Sequence, residues 1–461
     1  MSRSRVHRHA VALALLLPFA ASCFSRPLPP DERPRTVLPA PTPAPERVVP
    51  APEPLPADIA PPGPTPGSGP LVRVALRVPP DAVALAAIGP WRLLDDGGSV
   101  LVRARADERW RLERRGTRLR AVRDDGTATG WQSGELTLFA DDSGLVLNDA
   151  RAYRGALAHL ATDSGILVIN TLPLDEYLRG VVPLEIGDRT PVERAAVEAQ
   201  AVAARSYTVT RLASAAAGGG RTAAFDLLSS VADQAYGGRD AERPLSDAAV
   251  RNTAGLVLLY AGRVVTAPFF SACGGETAAA QDVWRTAGEP HLKRVSDRIP
   301  GSDRYYCDIA PRFAWTRAFT GTELDAVVRR YLAEYATVGS GGPGRVSDLT
   351  VADRTPSGRV GTLVVRTDRG SYRVRGNDAR SVLRSPGGEL LNSSYFSVTT
   401  ERSGGRLVRA LIRGNGYGHG VGMCQWGAIG RARAGQDLRT ILRTYFPGTT
   451  VGPIPPRLLN P

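Results

Sequence analysis

An α+β fold is expected, with several small β-rich lobes around a central helix. Three observations predict it: short period-two stretches between residues 71 and 170, one strongly specified helix beginning near 190, and further strand pairs at 255–275 and 358–376. With 461 residues and 43% apolar side chains, the chain exceeds a single average core but has ample material for two or more packed units.

Ahead of the folded body, Arg3, Arg5 and Arg8 precede an apolar run at 10–21 that is too short to span a bilayer and leads into the small-residue site "AASC". Residues 1–22 therefore read as a secretory signal peptide. Cleavage before Cys23 would make it a lipidation site; an ordinary signal peptide with an incidental Cys23 is the alternative. Either reading places the protein in the cell envelope, periplasmic or held to a membrane only through a lipid anchor. Residues 23–69 form a Pro-rich, disordered tether, with sixteen prolines and no aromatic residue between 27 and 67. Such a segment cannot build a core, and at about 3.1 Å per residue it would reach on the order of 100 Å.

The β-rich unit spans 70–165. Its stretches "LVRVALRV" (71–78), "SVLVRARA" (99–106) and "RWRLERR" (109–115) alternate, and "DDGG" and "DDGT" supply turns between strands. "GILVIN" (165–170) continues the pattern. Residues 166–450 follow as a second unit. Thr190 as N-cap, Pro191 at the first helical position and Glu193 as the capping-box partner specify a helix that runs to three glycines at 218–220. Val192, Ala195, Ala199, Val202 and Ala203 recur at helical spacing, and their small size predicts close approach to another backbone. A helix is expected at 322–335, a β-rich lobe at about 346–410, a short helix at 438–446 capped by Asp437, and a tail at 451–461.

The formal net charge is +13, and Lys293 is the sole lysine among 58 basic residues. Export makes nucleic acid a poor partner, and the arginines are scattered without a zinc-finger or basic-helix pattern. An anionic wall polymer suits the charge better; the alternative is that the arginines reflect composition alone.

Within "LPLDEYLRGVVPLEIG" (172–187), Glu185 stands between Leu184 and Ile186. Dehydration by such neighbours raises a carboxyl's pKa. An ordinary Glu is about 0.2% protonated at pH 7, whereas one raised to ~6 is about 10% protonated. The plain alternative is a solvent-facing Glu at a strand end. Asp175 and Glu176 are the candidates for a second carboxylate, as a paired-acid glycosidase requires. Three cysteines of the body, Cys273, Cys307 and Cys424, form an odd set in an exported chain: a Cys273–Cys307 disulfide, a metal site with His419 as fourth ligand, and buried thiols all stay open. His419 lies where glycine occupies 414, 416, 418, 420 and 422, a run that lets backbone approach a ligand or makes a tight structural turn.

Four motifs in order carry a resemblance. "LPLDEYLRGVVPLEIG", "VERAAVEAQAVAARSYTV" (192–209), "FFSACGGETAAAQDVW" (269–284) and "GYGHGVGMCQWGA" (416–428) with "ILRTYFPGT" are similar to motifs of the stage II sporulation protein D and LytB (SpoIID/LytB) family. The resemblance implies a lytic transglycosylase of peptidoglycan glycan strands, favouring strands without stem peptides, with Glu185 as the catalytic acid and base. It further implies substrate-binding roles for Arg179, Gln200, Arg205, Tyr207, His419 and Gln425 along an open glycan-binding groove, with Arg205 or His419 as the electrostatic donor near the sugar. No cofactor is required by that chemistry, and zinc is admitted by the family. Because the family includes amidase enhancers, the alternative is a non-catalytic wall-binding protein that activates an N-acetylmuramoyl-L-alanine amidase. Where sporulation members often carry "PSEM" this chain has "PLEI", and Cys424 stands where many carry Ser.

Overall fold

The computed structural model describes residues 69–77, 81–141, 144–217, 223–404 and 406–458. The expected signal peptide, Cys23 and nearly all of the tether lie outside them. Among the described residues no helix is long and apolar enough to cross a membrane.

The fold is α+β: the described residues form six sheets, with eight α-helices distributed among them. The helices are α1 (Leu174–Ile186), α2 (Arg194–Ala217), α3 (Pro244–Asn252), α4 (Ala280–Val283), α5 (Gly321–Tyr331), α6 (Gly376–Val382), α7 (Gln425–Arg433) and α8 (Leu438–Tyr445).

The alternating stretches of the first unit become two sheets of seven and six strands. Alternation buries one face of each strand, as in Ala82–Ala87, where Val83, Leu85 and Ala87 turn inward. Trp91 and Trp110 meet edge to face at 6.5 Å in the resulting core. The larger sheet extends beyond residue 165: Gly165–Pro173 pairs with Leu71–Arg77 along nearly its whole length, and Leu227–Leu228 adds in parallel on the other side. Arg73 reinforces that edge through Asp226 at 2.9 Å.

Helix α2 starts as its sequence dictates. One 3-10 turn at Pro191–Glu193 precedes it, and the Thr190 N–H donates to Glu193 Oε2 at 2.9 Å. Burial extends well beyond the small residues picked out in the sequence: Ala196, Val197, Ala199, Gln200 through Ser206, Thr208 and Val209 are buried, whereas Val192, just before the helix, is 63% exposed. The reason is that α1, α3, α7, α8 and the strand Leu256–Tyr260 all pack on this one helix, and small side chains let them approach. Arg205 on it has no solvent exposure. Its Nε donates to Asp175 at 2.8 Å, and its terminal nitrogens donate to Thr253 Oγ1 and to the carbonyls of Val250 and Leu256 at 3.2–3.3 Å.

A second core gathers Phe319, Leu324, Val328, Leu363, Val365, Val374 and Ile412. It is larger than the stretch 346–410, because Ala314–Thr320 pairs antiparallel with Arg406–Asn415 and α5 packs beside them. The expected hairpin appears as Val360–Thr367 paired with Gly370–Arg375, and the expected cap as Asp437 Oδ1 accepting from the Thr440 N–H at 2.7 Å.

Arg205→Ala would leave Asp175, Thr253 and two carbonyls without their donor inside the core. We expect a loss of about 3 kcal/mol in urea unfolding, the low end for breaking a buried ion pair because Asp175 is one-third exposed. A loss under about 1 kcal/mol would show that these bonds do not hold α1 and α3 to α2.

Candidate functional site

Glu185 sits on the last turn of α1, not at a strand end. Gly187 closes the helix with φ 78°, its N–H donating to the Pro183 carbonyl at 3.0 Å. The segment after α2 folds back over this turn, and the Ala235 N–H donates to Glu185 Oε1 at 2.7 Å. Burial raises the Glu185 pKa, and the bond from Ala235 opposes that rise only in part. Its place in the last turn of α1 adds to this, because the macrodipole disfavours negative charge at a helix C-terminus.

Glu185 lines a cavity of about 570 Å³ together with Tyr207, His419 and Gln425. The closing and middle motifs are brought to it by a short parallel pairing, Phe269 with Met423 and Phe270 with Cys424. Gly416, Gly418 and Gly422 all have positive φ, and a Cβ on any of them would strike the segment 268–273. The glycine run thus serves close approach between two chain segments, the structural alternative of the two the sequence left open.

His419 is half-buried between Phe270 and Trp284, each ring centre 5.2 Å away. Its Nδ1 accepts from the Val421 N–H at 3.1 Å, which places the proton on Nε2, donated to the Phe269 carbonyl at 2.9 Å. Burial pushes its pKa down to about 4, with the nearby Arg380 charge adding to the effect. Both nitrogens of this neutral imidazole are engaged by backbone, and His419 is not among the side chains gathered with the three cysteines, where a fourth metal ligand was expected.

The other expected residues lie elsewhere. Arg205 is inside the core and cannot reach a sugar. Arg179 donates to Glu242 at 2.8 Å and Asp247 at 3.0 Å. Gln200 is one layer behind the cavity, its Oε1 accepting from Gln425 Nε2 at 3.4 Å. Asp175 pairs with Arg205, and Glu176 with Arg154 at 2.9 Å, so neither is a second carboxylate beside Glu185.

Two groups that sequence reasoning missed take those places. Arg380 lines the cavity as its cation: Nε donates to the Leu391 carbonyl at 2.9 Å, and burial lowers its pKa only to about 10. Asp233 lines it as an acid, accepting from the Tyr207 hydroxyl at 2.7 Å and the Leu228 N–H at 2.9 Å. Nothing in "SVADQAY" or "NDARSV" marks either residue before the chain is folded.

Behind this cavity wall Cys273, Cys307, Cys424 and Asp297 are buried together, their ligand atoms within 4.8 Å of one another. Cys273 and Cys307 lie as close as expected, Sγ to Sγ 3.2 Å, with free thiols rather than a disulfide. Asp297 occupies the place expected of His419. Burial pushes its carboxyl up to about 7 despite Arg431 and the Tyr445 hydroxyl, which donate to Oδ1 at 3.0 and 2.7 Å.

The cavity draws its walls from both segments that match known families: residues 162–260 match the family model described as stage II sporulation protein, and 303–422 match a domain of unknown function. An uncharacterized protein of Brachyspira hyodysenteriae is 30% identical over 69% of this chain and 76% of its own length. The amidase enhancer of Bacillus subtilis is 31% identical over 59% of this chain, which spans only 40% of that protein. Stage II sporulation protein D of Bacillus amyloliquefaciens is 30% identical over 61% of this chain and 75% of its own length. By that extent of similarity, with the motifs meeting around one cavity, the chain belongs to the SpoIID/LytB family.

Proposed function

We propose that the protein acts on the cell wall by binding a peptidoglycan glycan strand at the Glu185 cavity, and that it supports the action of a wall amidase. The observation that carries the binding part is the adjoining cavity of about 500 Å³, which shares Arg380, Leu390 and Tyr417 with the first. Two cavities with a common wall suit a polymer longer than either. Aromatic faces of Trp284 and Tyr417 suit pyranose rings, and Arg380 suits the lactyl carboxylate of muramic acid. The amidase part is supported by the name of one relative, the amidase enhancer; none of the relatives' names states a cleavage reaction.

A second reading rests on Glu185 itself. Its burial favours the protonated form, Oε1 is oriented by Ala235, and Oε2 is the oxygen given the transferable proton. In a lytic cleavage that proton would go to the leaving glycosidic oxygen. The resulting carboxylate would then take the proton of the muramic acid 6-hydroxyl as it attacks its own anomeric carbon. One carboxyl suffices because no water is activated, and the internal nucleophile supplies its own proximity.

Digestion of peptide-free glycan strands followed by mass spectrometry separates the two. Amidase support predicts no anhydro ends, together with faster amidase digestion of intact walls on adding either wild type or Glu185→Gln. Lytic cleavage predicts anhydro ends from wild type that fall by about 10²- to 10⁴-fold in Glu185→Gln. Failure to sediment with walls or to change amidase rate, with no cleavage, would overturn the proposal.

The raised Glu185 pKa has a stability consequence. A carboxyl that binds its proton more tightly when folded makes folding weaken as pH rises from the unfolded value, about 4.3, through the folded one. Glu185→Gln removes the ionisation and keeps an oxygen for Ala235. The variant should melt above wild type at pH 7, with the difference closing below about pH 4. A wild type that melts higher at pH 7 would mean the carboxylate is the favoured form.

A further inference from the structure

Four side chains from three distant stretches converge behind the cavity wall: Cys273 after the strand Phe269–Phe270, Asp297 and Cys307 on the following loop, and Cys424 at the start of α7. All are buried. We propose that Cys273, Cys307, Cys424 and Asp297 bind one structural zinc ion that fixes the wall of the glycan cavity.

The donor set fits. Three sulfurs and one carboxylate oxygen match the soft, four-coordinate preference of zinc. Zn–S bonds of ~2.3 Å in a tetrahedron place sulfurs about 3.8 Å apart, so the observed 3.2 Å between Cys273 and Cys307 needs to open by only a few tenths of an ångström. A disulfide needs a contraction of over an ångström, and would leave Cys424 and Asp297 without a role.

The surroundings are built for negative sulfur. Cys424 Sγ accepts backbone N–H bonds from Cys273 and Gly427, both at 3.2 Å. Asp297 Oδ1 is held by Arg431 and Tyr445, and its Oδ2 lies 3.5 Å from Cys273 Sγ. This is the oriented carboxylate that a metal ligand requires.

Charge supplies an independent observation. Arg359 is buried beside the cluster; its Nη2 donates to the Cys273 carbonyl at 2.9 Å, while Nε and Nη1 have no hydrogen-bond partner among the described residues. Asp297 pairs with Arg431 at 3.0 Å, whereas no carboxylate lies within ion-pair distance of Arg359 among the described residues. A zinc ion with three thiolates and one carboxylate carries two surplus negative charges, one for each guanidinium. Zinc entry displaces the thiol protons to solvent, so binding weakens at low pH.

The ion would act on the cavity through its ligands' neighbours. Phe270 and Ser271 precede Cys273, Gln425 follows Cys424, and all three line the cavity. Zinc would thereby join the middle and closing motifs where they form one wall. The inference does not depend on which reaction, if any, Glu185 performs.

Elemental analysis of the full chain purified without added metal should give stoichiometric zinc. Replacing it by cobalt should give the visible bands of tetrahedral cobalt thiolate. Cys307→Ser should abolish the bands, Asp297→Asn should weaken metal binding at least tenfold, and His419→Ala should leave the zinc content unchanged. Should the cysteine variant fail to fold, the wild-type cobalt spectrum remains decisive. Substoichiometric zinc together with no cobalt bands on titration of the reduced protein would overturn the site. So would a Cys273–Cys307 peptide lighter by two hydrogens in metal-free, folded protein.

Discussion

A guanidinium withdrawn wholly from water, that of Arg205, sets the arrangement around it. Its desolvation is offset only because Asp175 of α1 and the acceptors on and just after α3 are all in reach at once. That condition holds α1 and α3 at fixed places on α2, and the small residues beside Arg205 on α2 allow the approach. Gly180 of α1 lies so near Tyr236 that an added Cβ would meet its ring at 2.6 Å. With Asp175 pinned at one end and Gly180 seated in the middle, the other end of α1 delivers Glu185 beneath the Ala235 amide. The position of the acidic group is thus set largely by a basic group that never meets the cavity.

What the sequence made legible was local. Thr190, Pro191 and Glu193 announce a helix start because capping satisfies donors within three residues, and the alternation of Ala82–Ala87 announces a strand with one buried face. Glu185 was singled out by its bulky neighbours, but Leu184 is 50% exposed, and it is the distant segment carrying Ala235 that covers the carboxyl. What stayed hidden depended on contacts between distant residues. Arginines carry the same formal charge in sequence, but Arg205 and Arg359 are interior, Arg179 belongs to an ion-pair network, and Arg380 faces the cavity. Asp297 was hidden for the same reason: it meets Cys424 only across a sequence separation of 127 residues. The positive net charge was therefore a poor guide to a binding surface.

The cavity joins an acid kept partly from water to a cation and aromatic faces. These are the elements of sugar recognition whether or not a bond is broken. On either proposed reading a strand would rest on the same floor, and the two differ in whether the Glu185 proton is transferred. The thiol cluster sits directly behind that floor, so the metal proposed there would stiffen the cavity without touching the sugar.

The claim beneath both readings is that a glycan strand lies against Arg380 and Trp284 beside Glu185. Calorimetric titration of peptide-free glycan strands into wild type, Arg380→Gln and Trp284→Ala tests it most directly. The account predicts binding weakened by about tenfold or more in each variant, about 1.4 kcal/mol apiece, with folding retained. Unchanged affinity in both variants would place the strand elsewhere and contradict it.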